Sequence, residues 1–224
     1  MLIGISGMIS SGKSTLSKKL HKHYKKSLLL NEYEEDDVVF NTFLKWFYEK
    51  KANIDVSFQV YVVENHTASV RKILQEFEEK KLNKDEHIIF LDRFSAEHYV
   101  FASVNLKGYP RKSFNAYKAL FNELVSNEEL PEFTIFLDIS FENFKKRLFK
   151  RGREVEINTY EQNEGYFNEL YKVYKNVFLY IVKKYKINYV IIDTNDKSEK
   201  EVFEEAVKAI DHYKQTKTTG AQNE

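Results

Sequence analysis

Short apolar runs rich in β-branched and aromatic residues alternate along the chain with longer segments whose apolar positions recur at helical spacing. The short runs are Leu2–Ser6, Ser27–Asn31, His87–Asp92, Glu132–Leu137 and Asn188–Ile192. Polar or charged residues bound each of them, as expected for strands covered on both faces. The longer segments predict helices at Lys13–Lys25, Val38–Lys50, Val56–Lys80, Ala96–Val104, Ser113–Asn127, Phe141–Lys150, Tyr160–Lys184 and Ser198–Lys214. Such alternation predicts an α/β domain on a mostly parallel five-stranded sheet, with some helices packed on one another. Lys107–Lys112, which holds Gly108 and Pro110, reads as a turn between two helices. No Ser/Gly linker, composition break or internal repeat divides the chain, so one domain is expected over residues 1–214. The polar end, 215–224, is expected to fray.

Composition narrows the chemistry. Across 224 residues, 35 Lys and Arg balance 34 Asp and Glu, so there is no global field to attract nucleic acid or an anionic membrane. Any bound anion needs a local site. The absence of cysteine excludes disulfides, thiolate catalysis and thiolate metal sites. No apolar stretch approaches the roughly 20 residues of a membrane span, and Leu2–Ser6 lacks the basic flank of a signal peptide, so the chain reads as cytosolic.

The first chemical site is Gly7-Met8-Ile9-Ser10-Ser11-Gly12-Lys13-Ser14, a complete G-x-x-x-x-G-K-[ST] P-loop between the first predicted strand and helix. Its backbone amides and the helix N-terminus suit phosphate, Lys13 neutralises outer phosphate charge, and the Ser14 hydroxyl can ligate Mg²⁺. Thr15 is a further candidate phosphate contact. Ligands of open parallel sheets bind at strand C-termini, and two other predicted strands end in Asn31-Glu32 and Asp92-Arg93. Glu32 could take a proton from a hydroxyl, Asp92 could hold Mg²⁺, and Arg93 could stabilise phosphoryl charge. The plain alternatives are one acid in the acidic turn Glu32–Asp37 and a surface ion pair after a strand.

A second basic cluster spans Lys145–Arg153. Its lysines read as a solvated helix end capped by Gly152. Arg147 and Arg151 share a helical face and Arg153 follows Gly152, the arrangement of a lid, near 147–156, that brings arginines onto transferring phosphates.

In order and spacing, the P-loop, Glu32, Tyr48-Glu49-Lys50 with Ser57-Phe58-Gln59, Asp92-Arg93 and Arg147-x-x-x-Arg151-Gly152-Arg153 resemble the deoxyribonucleoside kinase family, the group of deoxycytidine, deoxyguanosine and deoxyadenosine kinases. The resemblance implies a P-loop NTPase fold and ATP- and Mg²⁺-dependent phosphorylation of a deoxyribonucleoside at its 5′-hydroxyl, with a purine as the expected base. It also implies a homodimer through long helices such as Val56–Lys80. Residue by residue, it makes Glu32 the carboxylate that activates the hydroxyl, Arg93 its steadying arginine and Asp92 the acid associated with Mg²⁺. Tyr48 and Glu156 would hold the sugar 3′-hydroxyl, Gln59 the base edge, and Phe101 would stack on the base. An amide and an aromatic face suit a planar base, whereas Phe58 and Tyr61 read as core.

Three departures stand out. Tyr33 follows Glu32 where the family commonly has proline, and Phe94 follows Arg93 where it has Ser or Thr. His66 and His98 occupy the positions of an arginine and an aspartate that contact the base in purine- and cytosine-accepting members. If they line the pocket, two imidazoles change its donor pattern; as polar helix residues they would not. Asp92-Arg93-Phe94 also resembles the thymidylate kinase motif, but only Arg71 in the acceptor helix is available to clamp a second phosphate. A nucleotide-binding switch is the third reading, and against it Asn83-Lys84-Asp85 lacks the spacing of the guanine-reading signature.

Overall fold

The computed structural model describes residues 1–32 and 37–220. In it, β1 (Leu2–Gly7) is buried throughout and sends alternate side chains into different cores. Leu2 joins a cluster containing Leu91, Phe136 and Phe178, whereas Ile3 and Ile5 join Leu16, Leu20, Ala206 and Ile210. The same alternation runs through β3 (Ile89–Asp92) and β4 (Phe133–Asp138), which explains continuous apolar runs in a sheet with no solvent face. With β2 (Leu28–Leu30) and β5 (Asn188–Asp193) they form an all-parallel sheet in the order β2-β3-β1-β4-β5. The P-loop strand is central, with β3 and β4 on either side.

α1 (Lys13–His23) and α9 (Glu199–Gly220) cover one face. The other carries α3 (Asp55–Glu79), α4 (His98–Asn105), α5 (Arg111–Leu124) and α8 (Tyr160–Lys184), with α2 (Val38–Tyr48) against α3. Local chemistry sets several boundaries. Asp37 caps α2 by accepting from the Phe40 amide at 2.9 Å. α6 (Phe141–Arg151) starts at the Ser140 cap and stops at Gly152, whose φ of 76° is left-handed.

All five predicted strands and eight predicted helices are present, with shifted ends. The predicted helix Ala96–Val104 instead opens with a 3₁₀ turn, Ser95–Glu97, because the chain leaves β3 through a left-handed Arg93 (φ 74°) and an extended Phe94. A short helix, α7 (Glu154–Ile157), was not foreseen. The segment after Lys214 was expected to fray, yet α9 continues to Gly220: the Tyr213 ring stacks on Phe133 at 4.7 Å and Lys217 pairs with Glu132. Residues 221–224 lie outside the described residues, as do Tyr33 and most of the acidic turn. No helix among the described residues is long and apolar enough to cross a membrane.

Candidate active site

The loop from β1 into α1 takes its shape from backbone that few residues accept. Gly7 has φ 139°, and a Cβ there would lie 2.6 Å from the Leu137 carbonyl oxygen. Ser10 and Gly12 are also left-handed, at φ 59° and 102°. Met8 sinks into the core, while Ser14 and Thr15 face solvent at the start of α1. The Ser10 and Ser11 hydroxyls are buried without partners among the described residues. Lys13 folds back to donate to the Met8 carbonyl at 3.2 Å. Burial, and then the nearby Arg93 guanidinium, lower its pKa to about 8 despite Glu32, Asp92 and Glu97.

Glu32 and Asp92-Arg93 arrive beside this loop from the ends of β2 and β3. Ser14 Oγ donates to Asp92 Oδ2 at 2.5 Å, and Asp92 Oδ1 is buried with no partner among the described residues. A hydroxyl beside an orphaned carboxylate oxygen next to a phosphate loop is the donor set Mg²⁺ takes when nucleotide phosphates supply the rest. The residues fit the ion. Arg93 is fully buried and donates through Nε to Glu32 Oε1 at 2.7 Å and through Nη1 to Glu97 Oε1 at 2.9 Å. Its guanidinium lies 4.7 Å from the centre of the Phe101 ring. Burial alone would raise the pKa of Glu32, but Arg93 and Lys13 outweigh it and hold the carboxyl well below the usual range.

Two hollows flank these residues. One is a cavity lined by Ile9, Lys13, Glu32, Tyr48, Gln59, Arg93, His98, Phe101, Arg151, Arg153 and Glu156, together with Phe47, Phe58 and Val62. The other is a cleft along Ser10–Thr15 with Arg147, Arg151, Lys19 and Lys197. Lys13, Glu32 and Arg151 line both. His66 stands behind the cavity wall, 3.0 Å from His98.

The arginines of the expected lid divide. Arg147 is fastened to the Ser11 carbonyl at 3.1 Å and the Thr194 carbonyl at 2.6 Å, so it braces the P-loop from α6. Arg151 and Arg153 both pair with the buried Glu156, Arg153 at 3.2 Å. The Tyr48 hydroxyl is pushed well up by burial and by Glu156, while its carbonyl accepts from Asn163 Nδ2 at 2.9 Å.

Residues 3–214 match the model of the family described as deoxynucleoside kinase. The chain belongs to the deoxynucleoside kinase family. It is 31% identical over 201 residues to the uncharacterized protein MG268 homolog of Mycoplasma pneumoniae, covering 87% of this chain and 83% of that one. It is 28% identical over 182 residues to the deoxyguanosine kinase of Lactobacillus johnsonii, covering 78% and 75%. The solved structure of deoxyadenosine kinase from M. mycoides with bound dCTP superposes with a TM-score of 0.73 at 21% identity, covering 95% of this chain and all of that one, which shows a shared fold.

In this kinase the Phe94 departure has a packing reason. Phe94 is fully buried, and its ring would lie 3.2 Å from a Cβ at Gly4, so it fills the space above a strand residue that has no side chain. Glu97 and Tyr174 were not anticipated from the sequence. Glu97 is fully buried and accepts from Ser6 Oγ at 2.8 Å, the Gly7 amide at 3.2 Å, Arg93 and the Tyr174 hydroxyl at 2.6 Å. An acid four residues after Arg93 in the apolar stretch Ser95–Ala102 was a readable signal for a buried ion pair. Tyr174 gave none, since 81 residues separate it from Arg93.

Proposed function

We propose that the protein transfers the γ-phosphoryl group of ATP to the 5′-hydroxyl of a deoxyribonucleoside, with a purine as base, giving the monophosphate. The observation that carries this reading is the meeting of the phosphate cleft and the cavity beside it at Lys13, Glu32 and Arg151. A donor phosphate in the P-loop and a hydroxyl in the cavity would converge there.

In this mechanism the loop amides and Lys13 hold the donor phosphates. Ser14 and Asp92 would hold Mg²⁺, which would supply charge neutralisation for the donor phosphates. Glu32 orients the acceptor hydroxyl and receives its proton. Because Arg93 keeps that carboxylate strongly acidic, its leading contribution is a fixed hydrogen-bond acceptor that aligns the nucleophile. Phosphoryl transfer through a loose transition state demands little more of a base. Arg93 and Arg151 offset charge during transfer, Tyr48 and Glu156 hold the sugar, and Gln59 and Phe101 the base. The expected homodimer through α3 belongs to the same proposal, as does a cytoplasmic location.

A monophosphate acceptor would need cations free to clamp a second phosphate. Arg71, the candidate on α3, is engaged with Glu129 Oε1 at 2.6 Å and the Leu124 carbonyl at 3.0 Å, which favours a nucleoside. An ADP-release assay offering deoxynucleosides and their monophosphates separately tests the choice. Turnover with nucleosides supports the proposal, turnover only with a monophosphate transfers it to the thymidylate kinase reading, and none at all leaves a nucleotide-binding module. Glu32→Ala should lower kcat by about 10²- to 10⁴-fold with ATP affinity retained. Lost ATP affinity with unchanged turnover would remove Glu32 from its role.

A further inference from the structure

The polar groups of the cavity separate into those that are already paired and those left to read a base. Glu32 is bound to Arg93, and Glu156 to Arg151 and Arg153. Asn105 is engaged with the Tyr166 hydroxyl. Lys13 donates to the Met8 carbonyl, and Tyr48 is assigned to the sugar, which leaves Gln59 and His98 for the base; both are uncharged amphoteric groups.

His98 Nε2 lies 3.0 Å from His66 Nδ1, with ring centres 4.8 Å apart and planes at 86°. Burial lowers the pKa of His66 to about 4. Burial, then His66 and Arg93, lower that of His98 well below its ordinary value against the opposing pull of Glu32. Both rings are therefore neutral at pH 7, and each carries one N–H. Across the shared hydrogen bond one ring must donate and the other accept. When His98 donates through Nε2, its Nδ1 is bare and accepts. When His66 donates through Nδ1, the proton of His98 sits on Nδ1 and donates. Each ring keeps one proton in both arrangements, so the exchange moves no net charge. A histidine tautomer is normally pinned by a partner on its second nitrogen. Here, among the described residues, His66 Nε2 is buried without a hydrogen-bond partner, so no hydrogen bond on that nitrogen pins either arrangement.

We propose that the His66–His98 pair is a switchable reader of the base, able to offer the cavity a donor or an acceptor, so that 6-amino and 6-oxo purine deoxynucleosides are both substrates. This rests on reading the cavity as the nucleoside site. Between adenine and hypoxanthine the pattern at N1 and C6 inverts completely. Gln59 meets either by turning its amide, and the histidine pair by exchanging tautomers. A fixed hydrogen-bonding pattern would instead discriminate by roughly 10⁴-fold.

The test compares deoxyadenosine with deoxyinosine, which differ only at those two positions. The kcat/KM values for the two should agree within about tenfold. In His98→Asp, which presents a fixed acceptor, the preference for deoxyadenosine should widen to more than about a hundredfold. As that variant could misfold, ¹⁵N-resolved histidine NMR on the unaltered protein supplies a second readout: His98 Nδ1 should be bare in the deoxyadenosine complex and protonated in the deoxyinosine complex. One tautomer in both complexes, or a hundredfold preference in the unaltered enzyme, overturns the switch and leaves the kinase assignment standing. Turnover with no nucleoside in the wider panel overturns that assignment and the switch together.

Discussion

At neutral pH Lys13 keeps its proton in a place where burial disfavours it. Lowering its pKa from 10.5 to about 8 corresponds to roughly 3 kcal/mol of cost to the folded, phosphate-free protein. The cost is fully present below pH 8. It fades between pH 8 and 10.5, where the unfolded chain still holds the proton and the folded one has lost it, so this group makes stability rise with pH over that window. A bound triphosphate would restore the higher pKa. Nucleotide binding at pH 8.5 should then take up roughly three quarters of a proton, and affinity should weaken as pH rises further. Calorimetry in two buffers of different ionisation enthalpy measures the uptake, and a value of zero would remove Lys13 from the phosphate contact. Lys13→Met should raise the thermal midpoint while abolishing nucleotide binding.

Among the elements, the 3₁₀ turn Ser95–Glu97 joins parts that the chain supplies separately. Through Glu97 it holds the end of β1, the P-loop amide of Gly7, Arg93 after β3 and Tyr174 of α8. Glu97→Gln keeps the shape and removes one of the two carboxylates, the other being Glu32, that compensate Arg93. It should cost about 3 kcal/mol, read as a lower denaturant midpoint at unchanged m-value, whereas Tyr174→Phe should cost about 1 kcal/mol. A Glu97→Gln protein as stable as the parent would show that the turn anchors nothing. This turn also marks where sequence reading stops. The P-loop was legible because its glycines, lysine and flanking strand and helix are contiguous. Of Glu97 only the i, i+4 spacing to Arg93 was readable; its other donors come from positions 6, 7 and 174, and only the folded sheet brings them to one point. Arg147 shows a different limit: its i, i+4 spacing with Arg151 was correct for a helical face, yet Thr194, at the end of β5, determines what its guanidinium does.

At the scale of the whole molecule, strands were legible as apolar runs, while their lateral order was not, since pairing is a property of the assembled sheet. That order places β1 between β3 and β4 and leaves β2 at an edge, three half-buried residues paired only with β3. Glu32 hangs from that edge strand, fixed to the centre through Arg93.

Hydrogen exchange should make the arrangement visible as a hierarchy of opening energies. Amides of Ile3–Ile5, where β1 is paired on both sides, should exchange only with global unfolding, and those of Leu28–Leu30 by cheaper local release. The carboxylate proposed to meet the substrate hydroxyl would thus ride on the segment of the sheet that detaches first. Catalytic readiness would then fade on mild heating before the fold itself is lost.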